Sequence, residues 1–364
     1  MKIVQLIYSL CSGGAERFVV SLSNELAAMG HEVTVCMLLS EQKSEYLFNR
    51  QYLNSNVRFV ALNFEKGLTF KKIRCVENFL LSIQPNVVHC HLNVVPYVYA
   101  LSLKSKNITF LHTLHNVAEK TTSGGFQRII NRWLYRKGYI VPVTISEMCK
   151  QSYINFYNLP SPPCIDNGCE VFDKSLAYKD VVSEVESYKS NAETKVFIHV
   201  ARFHPQKNQS LLIDAFNELY IRGEDFTLLV IGDGFTDELK SKACEKIHFL
   251  GLKSNVSDYL YCSDAFCMTS SYEGLPISLL EAMSCGVFPI CTNVGGIPDV
   301  IQNDTIGLLS EVNLHSYVAT IQKFLSLSWK KDKIIELYEK RFSMEACACR
   351  YLDIYSQRHN PKLD

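Results

Sequence analysis

The amino-acid sequence predicts two α/β domains, each a parallel sheet covered by helices on both faces. Three observations predict it. Short apolar runs rich in β-branched residues alternate with stretches of helical period along most of the chain. The alternation breaks once, at residues 158–164 (NLPSPPC), and then restarts. A chain of 364 residues, 47% of them hydrophobic, has the length and composition of roughly two ordinary cores.

The elements follow in order. KIVQLIY, HEVTVCMLL, VVHC, ITFLHTL and YIVPVTI read as buried strands of a first sheet. Helical periods lie between them at about Ala15–Met29, Phe70–Ile83, Phe126–Lys137 and Glu147–Tyr157. After the break, a polar stretch runs to about Lys195. The second series is KVFIHV, a helix from Asn208, FTLLVIG, KIHFLG, DAFCMT, a helix opened by Pro276, and VFPICT. The expected domains are residues 1–168 and 169–343. Both are doubly wound, so ligands are expected at the carboxyl ends of the strands.

Composition excludes several classes. Lysine plus arginine balances aspartate plus glutamate at zero formal charge, so no overall basic field argues for nucleic acid. The fourteen cysteines are scattered, with Cys36, Cys90, Cys267 and Cys291 inside strand-like runs. They read as small core residues in a reducing compartment rather than as a disulfide framework. Cys347 and Cys349 have no second pair to complete a zinc site. No apolar run approaches the ~18 residues that span a bilayer, and the N-terminal run reads as a buried strand. A cytoplasmic protein is expected.

The most informative segment is SSYEGLPISLLEAMSCG. Pro276 suits the first turn of a helix and Gly286 the position just past its end, which places a helix at about Pro276–Cys285. Glu273 lies in the loop before it and Glu281 on its second turn. The N–H groups of Gly274, Leu275 and Ile277 have no partner inside the helix, and such an end attracts phosphates. Either glutamate alone would read as a dipole complement or a solvated face. Together, flanking this helix end, they suit a ligand with hydroxyls on both sides of a diphosphate. A second cluster, VARFHPQKNQSLLIDAF, sets Arg202 and Lys207 between a strand and a helix. Two cations there can clamp a diphosphate, where in isolation they would be solvated loop charges.

These segments resemble the retaining, nucleotide-sugar-dependent glycosyltransferases of family 4 (glycosyl transferases group 1), which have the GT-B fold of two Rossmann-like domains facing across a cleft. Glu273 and Glu281 match that family's E-x7-E motif. The resemblance implies that Glu273 contacts the donor sugar, that Glu281 binds ribose, and that the backbone of Gly274, Leu275, Pro276 and Ile277 meets the sugar and diphosphate. Arg202 and Lys207 match its G-R-x4-K-N pattern, with Ala201 in place of the usual glycine, and would stabilise the leaving nucleoside diphosphate. No D-x-D motif is present. The positive charge that a departing diphosphate needs would come from these two cations and the helix end, so no metal or other cofactor is implied.

In the first half, SLCSGGAERF carries the family's Gly-Gly-Ala-Glu, placing Gly14 near the donor. FLHTLHN carries its T-x-H motif, so His115, rather than His112, would position substrate at the reacting centre. Gly251 and Leu252 match the backbone that meets the nucleobase. Ser146-Glu147, Asn167-Gly168, Gly232-Asp233-Gly234 and Gly295-Gly296 match further turns. The family's last helix crosses back to the first domain, which here is the segment 344–364.

The reading is therefore an enzyme, a retaining glycosyltransferase. It would move a sugar from a nucleoside-diphosphate sugar to an acceptor hydroxyl, on a saccharide or a lipid-linked acceptor, in surface polysaccharide or lipopolysaccharide synthesis. The alternatives are a sugar-nucleotide epimerase of the same fold and a non-catalytic nucleotide-sugar-binding subunit.

One feature lies outside that motif set. In FQRIINRWLYRKGY, Arg128, Arg132 and Arg136 recur every four residues, with Lys137 beside the last. This stripe, with Phe126, Ile129, Trp133 and Tyr135 nearby, can hold a neutral protein on the inner face of an anionic membrane. Alternatively, it is an ordinary surface helix that packs Ile129, Ile130 and Trp133 into the first domain.

Overall fold

Strand β1 (Lys2–Ile7) shows how period-two alternation builds the first core. Ile3 and Ile7 join one buried cluster, and Val4 and Leu6 join another on the opposite face. Strand β2 (Glu32–Leu39) divides in the same way. Val33, Val35 and Met37 go to the first cluster, Cys36 and Leu38 to the second. Gln5, of the same parity as Ile3, is a polar residue in the first cluster's face and is fully buried.

The structure is a computed structural model and describes residues 1–122, 124–170 and 173–357. The chain folds as two compact units, residues 1–169 with the segment from Met344 onward, and residues 170–343.

In the first unit, β1, β2, β3 (Arg58–Phe64), β4 (Val87–His91), β5 (Thr109–Leu114) and β6 (Val141–Thr144) form one sheet. Its order is β3-β2-β1-β4-β5-β6, with every pair parallel. Its helices include α1 (Gly14–Ala28), α2 (Phe70–Ile83), α3 (Gly124–Lys137) and α4 (Glu147–Tyr157). The N-terminal signals behave as their chemistry requires. Thr69 caps α2 by accepting from the Lys72 N–H, and Ser146 caps α4 by accepting from the Cys149 N–H.

In the second unit, β7 (Lys195–Val200), β8 (Phe226–Ile231), β9 (Ile247–Gly251), β10 (Ala265–Met268), β11 (Phe288–Thr292) and β12 (Leu308–Ser310) pair in the order β12-β11-β10-β7-β8-β9. Its helices include α5 (Tyr178–Tyr188), α6 (Gln209–Ile221), α7 (Ile277–Ser284) and α8 (Leu314–Leu325). Both sheets thus have the doubly wound order in which the first and fourth strands of the unit lie side by side. That adjacency opens a crevice at their carboxyl ends.

The last helix, α9 (Met344–Ser356), belongs to the first unit. Its Met344, Cys347, Ala348, Tyr351 and Ile354 enter the cluster that also holds Phe18, Val19 and Leu22 of α1. Residues 358–364 of the expected returning segment lie outside the described residues.

Several elements were not legible. Strand β3 is a half-buried edge whose alternation is blurred, and β12 has three residues. Helix α5 buries only Val181 and Val185, so its sequence reads as polar. All fourteen cysteines are free thiols. Among the described residues no helix is long and apolar enough to cross a membrane.

Helix α3 corrects one expectation. Ile129 is 67% exposed and Trp133 44% exposed, so neither packs into the unit as the ordinary-helix reading required. The arc turned inward is set instead by Asn131, Leu134 and Tyr135, with Ile130 at its edge.

Tyr351 ties α9 to the sheet through packing and a 2.9 Å hydrogen bond between its hydroxyl and Thr113 Oγ1. Tyr351→Phe should lower unfolding stability by about 1 kcal/mol, and Tyr351→Ala by about 3–5 kcal/mol. Urea unfolding checks both. Equal losses in the two variants would show that the hydroxyl, and not the ring, docks the helix.

Candidate functional site

In the second unit the crevice lies where β7 and β10 pair. The loop after β7 carries Arg202 and Lys207, and the loop after β10 carries Glu273. The two loops meet. Lys207 Nζ lies 2.6 Å from Glu273 Oε1, and Ser270 Oγ donates to the same oxygen at 2.6 Å. Gln206 Nε2 donates to the Tyr272 carbonyl at 2.9 Å and to Glu273 Oε2 at 3.4 Å. The Ser271 N–H donates to the Gln206 carbonyl at 2.8 Å. Glu273 is only 7% exposed, so its charge needs these partners. One of the three ammonium donors of Lys207 serves Glu273.

The backbone beneath is fixed from two sides. His199 Nδ1–H donates to the Cys267 carbonyl at 2.9 Å and joins β7 to β10. Gln209 Nε2 donates to the Arg202 carbonyl at 3.0 Å. Gly232 has φ +146°, and a Cβ there would lie 2.0 Å from the Ala201 carbonyl oxygen. Gly295 has φ +58°, and a Cβ there would lie 1.7 Å from the Glu273 carbonyl oxygen. Both glycines let another strand end pass directly against a site loop. Arg202 itself is exposed and pairs with no acid among the described residues.

Helix α7 begins one residue later than the sequence suggests, at Ile277, with Pro276 extended at the cap. Gly274 is exposed, and a Cβ there would meet nothing within 4 Å, so the backbone leading into the helix is open to a ligand. Leu275 and Pro276 are buried, and Ile277 is half-buried. Glu281 stands half-buried on the second turn. Gly251 and Leu252 close β9 at the sheet edge, two strands from β7. The Gly232 N–H holds the Gly251 carbonyl at 3.0 Å, and Leu252 is 74% exposed.

In the first unit, Gly13 caps α1 and Gly14 opens it, with clear space where a Gly14 Cβ would be. His115 follows β5 directly. Its Nε2 lies 3.0 Å from His91 Nδ1, and His91 Nε2 lies 2.7 Å from Gln5 Oε1. An amide oxygen only accepts, so His91 carries its proton on Nε2. His91 Nδ1 therefore accepts from His115 Nε2–H, which leaves His115 Nδ1 as a bare acceptor. That atom is buried and has no hydrogen-bond partner among the described residues.

Burial pushes the His115 imidazole down to about 3, with nearby His112 adding to the shift. It holds His89 and His91 well below the ordinary histidine range. His112 is committed elsewhere. Its Nε2–H donates to the Leu92 carbonyl at 2.7 Å, and its Nδ1 accepts from the Tyr135 hydroxyl at 2.6 Å. His89 lies beside His91, with ring centroids 4.0 Å apart, and bonds to Thr113 Oγ1 and to the Tyr355 hydroxyl, both at 2.7 Å.

Gln5 and His91, which hold His115, and His89 beside them are residues of the candidate site that the motifs do not reveal. Their signal was the strand period: two histidines spaced by two in VVHCH share one face, and Gln5 lies beside His89 in register.

Residues 12–170 match the model of Glycosyltransferase Family 4, and residues 183–341 match the model of Glycosyl transferases group 1. The chain is a member of glycosyltransferase family 4. Among its relatives is the N-acetyl-alpha-D-glucosaminyl L-malate synthase of Bacillus anthracis, 27% identical over 316 residues, covering 82% of this chain and 81% of the relative. Another is the UDP-Gal:alpha-D-GlcNAc-diphosphoundecaprenol alpha-1,3-galactosyltransferase of Escherichia coli, 23% identical with 79% of each covered. Among solved structures, a glycosyltransferase from Rickettsia africae superposes with a TM-score of 0.81 at 19% identity over 98% of both chains. Anabaena HepE, in complex with UDP, superposes with a TM-score of 0.78 at 16% identity, covering 98% of this chain and all of that one. This glycosyltransferase therefore has the GT-B fold, two Rossmann-like units in one chain.

The buried histidines of the glycosyltransferase carry a pH prediction. The unfolded chain takes up these protons near 6.5, the folded unit only near 3 at His115 and about 4 at His112. The unfolded state thus binds more protons below about pH 6.5. Stability should be level above pH 7 and fall as pH drops through 6.5 toward 4, by at most about 1.4 kcal/mol per pH unit for each histidine. Thermal midpoints across this range check it. A midpoint independent of pH between 7 and 4.5 would contradict the neutral cluster.

Proposed function

We propose that this glycosyltransferase is a retaining enzyme that takes a nucleoside-diphosphate sugar as donor and requires no metal. The observation that carries the reading is the meeting of the β7 and β10 loops. It puts Lys207, Glu273 and the open start of α7 in one place, with Arg202 on the same loop as Lys207. The α7 amides and the two cations are the groups that would receive a diphosphate. As the leaving phosphate gains charge, Lys207 would share its remaining donors with it while keeping Glu273 neutralised. Glu273 would then fix the hydroxyls of the transferred sugar, and Glu281 those of the ribose. Gly251 and Leu252 would meet the nucleobase.

His115 would act from the first unit, with Gly14 beside the substrate. Being neutral, it does not serve as a cationic acid at physiological pH. Its unpartnered Nδ1 would accept a hydrogen bond from a substrate hydroxyl, satisfying an atom whose isolation costs about 1–3 kcal/mol. The acceptor proton would pass to the departing phosphate as the sugar is attacked from the face that phosphate leaves, which retains the anomeric configuration. The Escherichia coli relative takes UDP-Gal and an acceptor on diphosphoundecaprenol, by its name. We place this chain in the same kind of work, building surface polysaccharide or lipopolysaccharide on a lipid-linked acceptor at the inner face of an anionic membrane.

Three measurements test the mechanism together. Chelator should leave the rate unchanged, and Lys207→Ala should lower kcat by about 10²–10³. Nuclear magnetic resonance of the first product should show the donor's anomeric configuration. An inverted product, or a rate that chelator abolishes and magnesium restores, would overturn the proposal. The glutamates should separate: Glu281→Gln weakens binding of free nucleoside diphosphate, whereas Glu273→Gln mainly slows turnover. Each should cost about 1.5–3 kcal/mol. Wild-type kcat/KM in both variants would remove them from the site.

A further inference from the structure

The end of α3 forms part of an open cavity of about 560 Å³ on the first unit. Arg132, Arg136 and Lys137 line one side, and the end of α4 with the proline-rich segment 159–163 lines the other. Among the described residues no acidic one lines it. Arg132 and Arg136 are exposed and pair with no acid among the described residues. Two helix carboxyl ends, those of α3 and α4, border the cavity and contribute about half a negative charge each. The two arginines alone exceed that, so the cavity stays electropositive. Pro142, at the amino-terminal end of β6, is part of the wall. The cavity is therefore separate from the strand carboxyl ends where His115 and Gly14 lie.

The rest of α3 says what the cavity faces. At 100° per residue, Arg128, Arg132 and Arg136 occupy one part of the exposed arc, and Ile129, Trp133 and Phe126 the part beside it. Phe126 is 77% exposed, Ile129 67% and Trp133 44%. Trp133 stacks on Tyr139 at 5.4 Å between ring centroids, and Arg128 lies over the Phe156 ring at 4.6 Å. An apolar strip beside a basic stripe, on a chain of zero formal charge, is complementary to a surface that offers hydrocarbon and negative charge together.

We propose that this face seats on an anionic bilayer, with Phe126, Ile129 and Trp133 entering the headgroup region and the cavity receiving the phosphate of one lipid headgroup between Arg132 and Arg136. The proposal deepens the placement of the enzyme at a membrane surface, and it does not require the transfer mechanism to be correct.

Sedimentation with vesicles of phosphatidylcholine, with or without phosphatidylglycerol, tests it. The wild type should bind only the anionic vesicles and be released as salt is raised. R132Q/R136Q should bind at least ~25-fold more weakly, two charges at about fivefold each. R128Q, outside the cavity, should lose no more than about fivefold, and F126S/I129S/W133S should lose binding while folding normally. Inorganic phosphate, added at constant ionic strength, should compete with the anionic vesicles. Calorimetric binding of UDP should be unchanged in every variant, which separates this claim from the donor site. Equal binding to both kinds of vesicle, or R132Q/R136Q binding as the wild type does, would overturn the docking face. If R128Q proves as damaging as R132Q/R136Q, or phosphate fails to compete, the stripe acts as diffuse charge and the headgroup site is refuted.

Discussion

The bond between Lys207 and Glu273 is the contact on which the candidate site of the second unit depends. It joins two loops that are far apart in sequence and adjacent only because β7 and β10 are neighbours in the doubly wound sheet. A carboxylate this buried cannot stand without a cation, and a lysine beside it is held where a diphosphate would need positive charge. Each neutralises the other. On the proposed function, ligand binding would be a sharing of donors rather than the creation of a new charge, which limits the reorganisation required. Gly295 and Gly232 extend the same constraint into the backbone, since a side chain at either position would push a site loop aside.

The first unit solves a different problem. It holds three histidines in its sheet and His115 just after β5, and burial keeps them neutral. Neutral imidazoles have one donor and one acceptor each, so a fixed partner at one end orders the next. Gln5 sets His91, and His91 sets His115. The open acceptor on His115 is the end of that sequence, and it is chemically different from the cation that a solvent-exposed histidine would supply in mild acid. The α9 helix meets a neighbouring group instead: Tyr355 bonds to His89, and Tyr351 bonds to Thr113, which also bonds to His89. The chain's last described helix thus bonds to residues of β4 and β5 more than 200 positions earlier.

The fold was legible because parallel strands buried on both faces leave an unmistakable record: continuous β-branched runs, spaced by helical periods. The donor side was legible for a related reason. Pro276, Gly286 and the two glutamates are short-range signals, and Arg202 and Lys207 lie within one loop. What the sequence did not disclose is set by distance or by weak alternation. Nothing local marks Gln5 as the group that fixes a histidine proton. Ser270 and Gln206 are ordinary polar residues until the two loops meet. Helix α3 misled in a different way. Ile129 and Trp133 are the residues a core would want, yet the geometry of the turn gives the inward arc to Asn131, Leu134 and Tyr135.

The central claim is that the β7 and β10 loops with the start of α7 form one receptor for a diphosphate. Calorimetric titration of UDP, and of a panel of other nucleoside diphosphates, into the wild type and Arg202→Ala tests it most directly. The account predicts binding of at least one nucleotide, independent of chelator and weakened by about tenfold or more when the charged hydrogen bond of Arg202 is lost. Unchanged affinity in Arg202→Ala, or binding that appears only with added divalent metal, would contradict it.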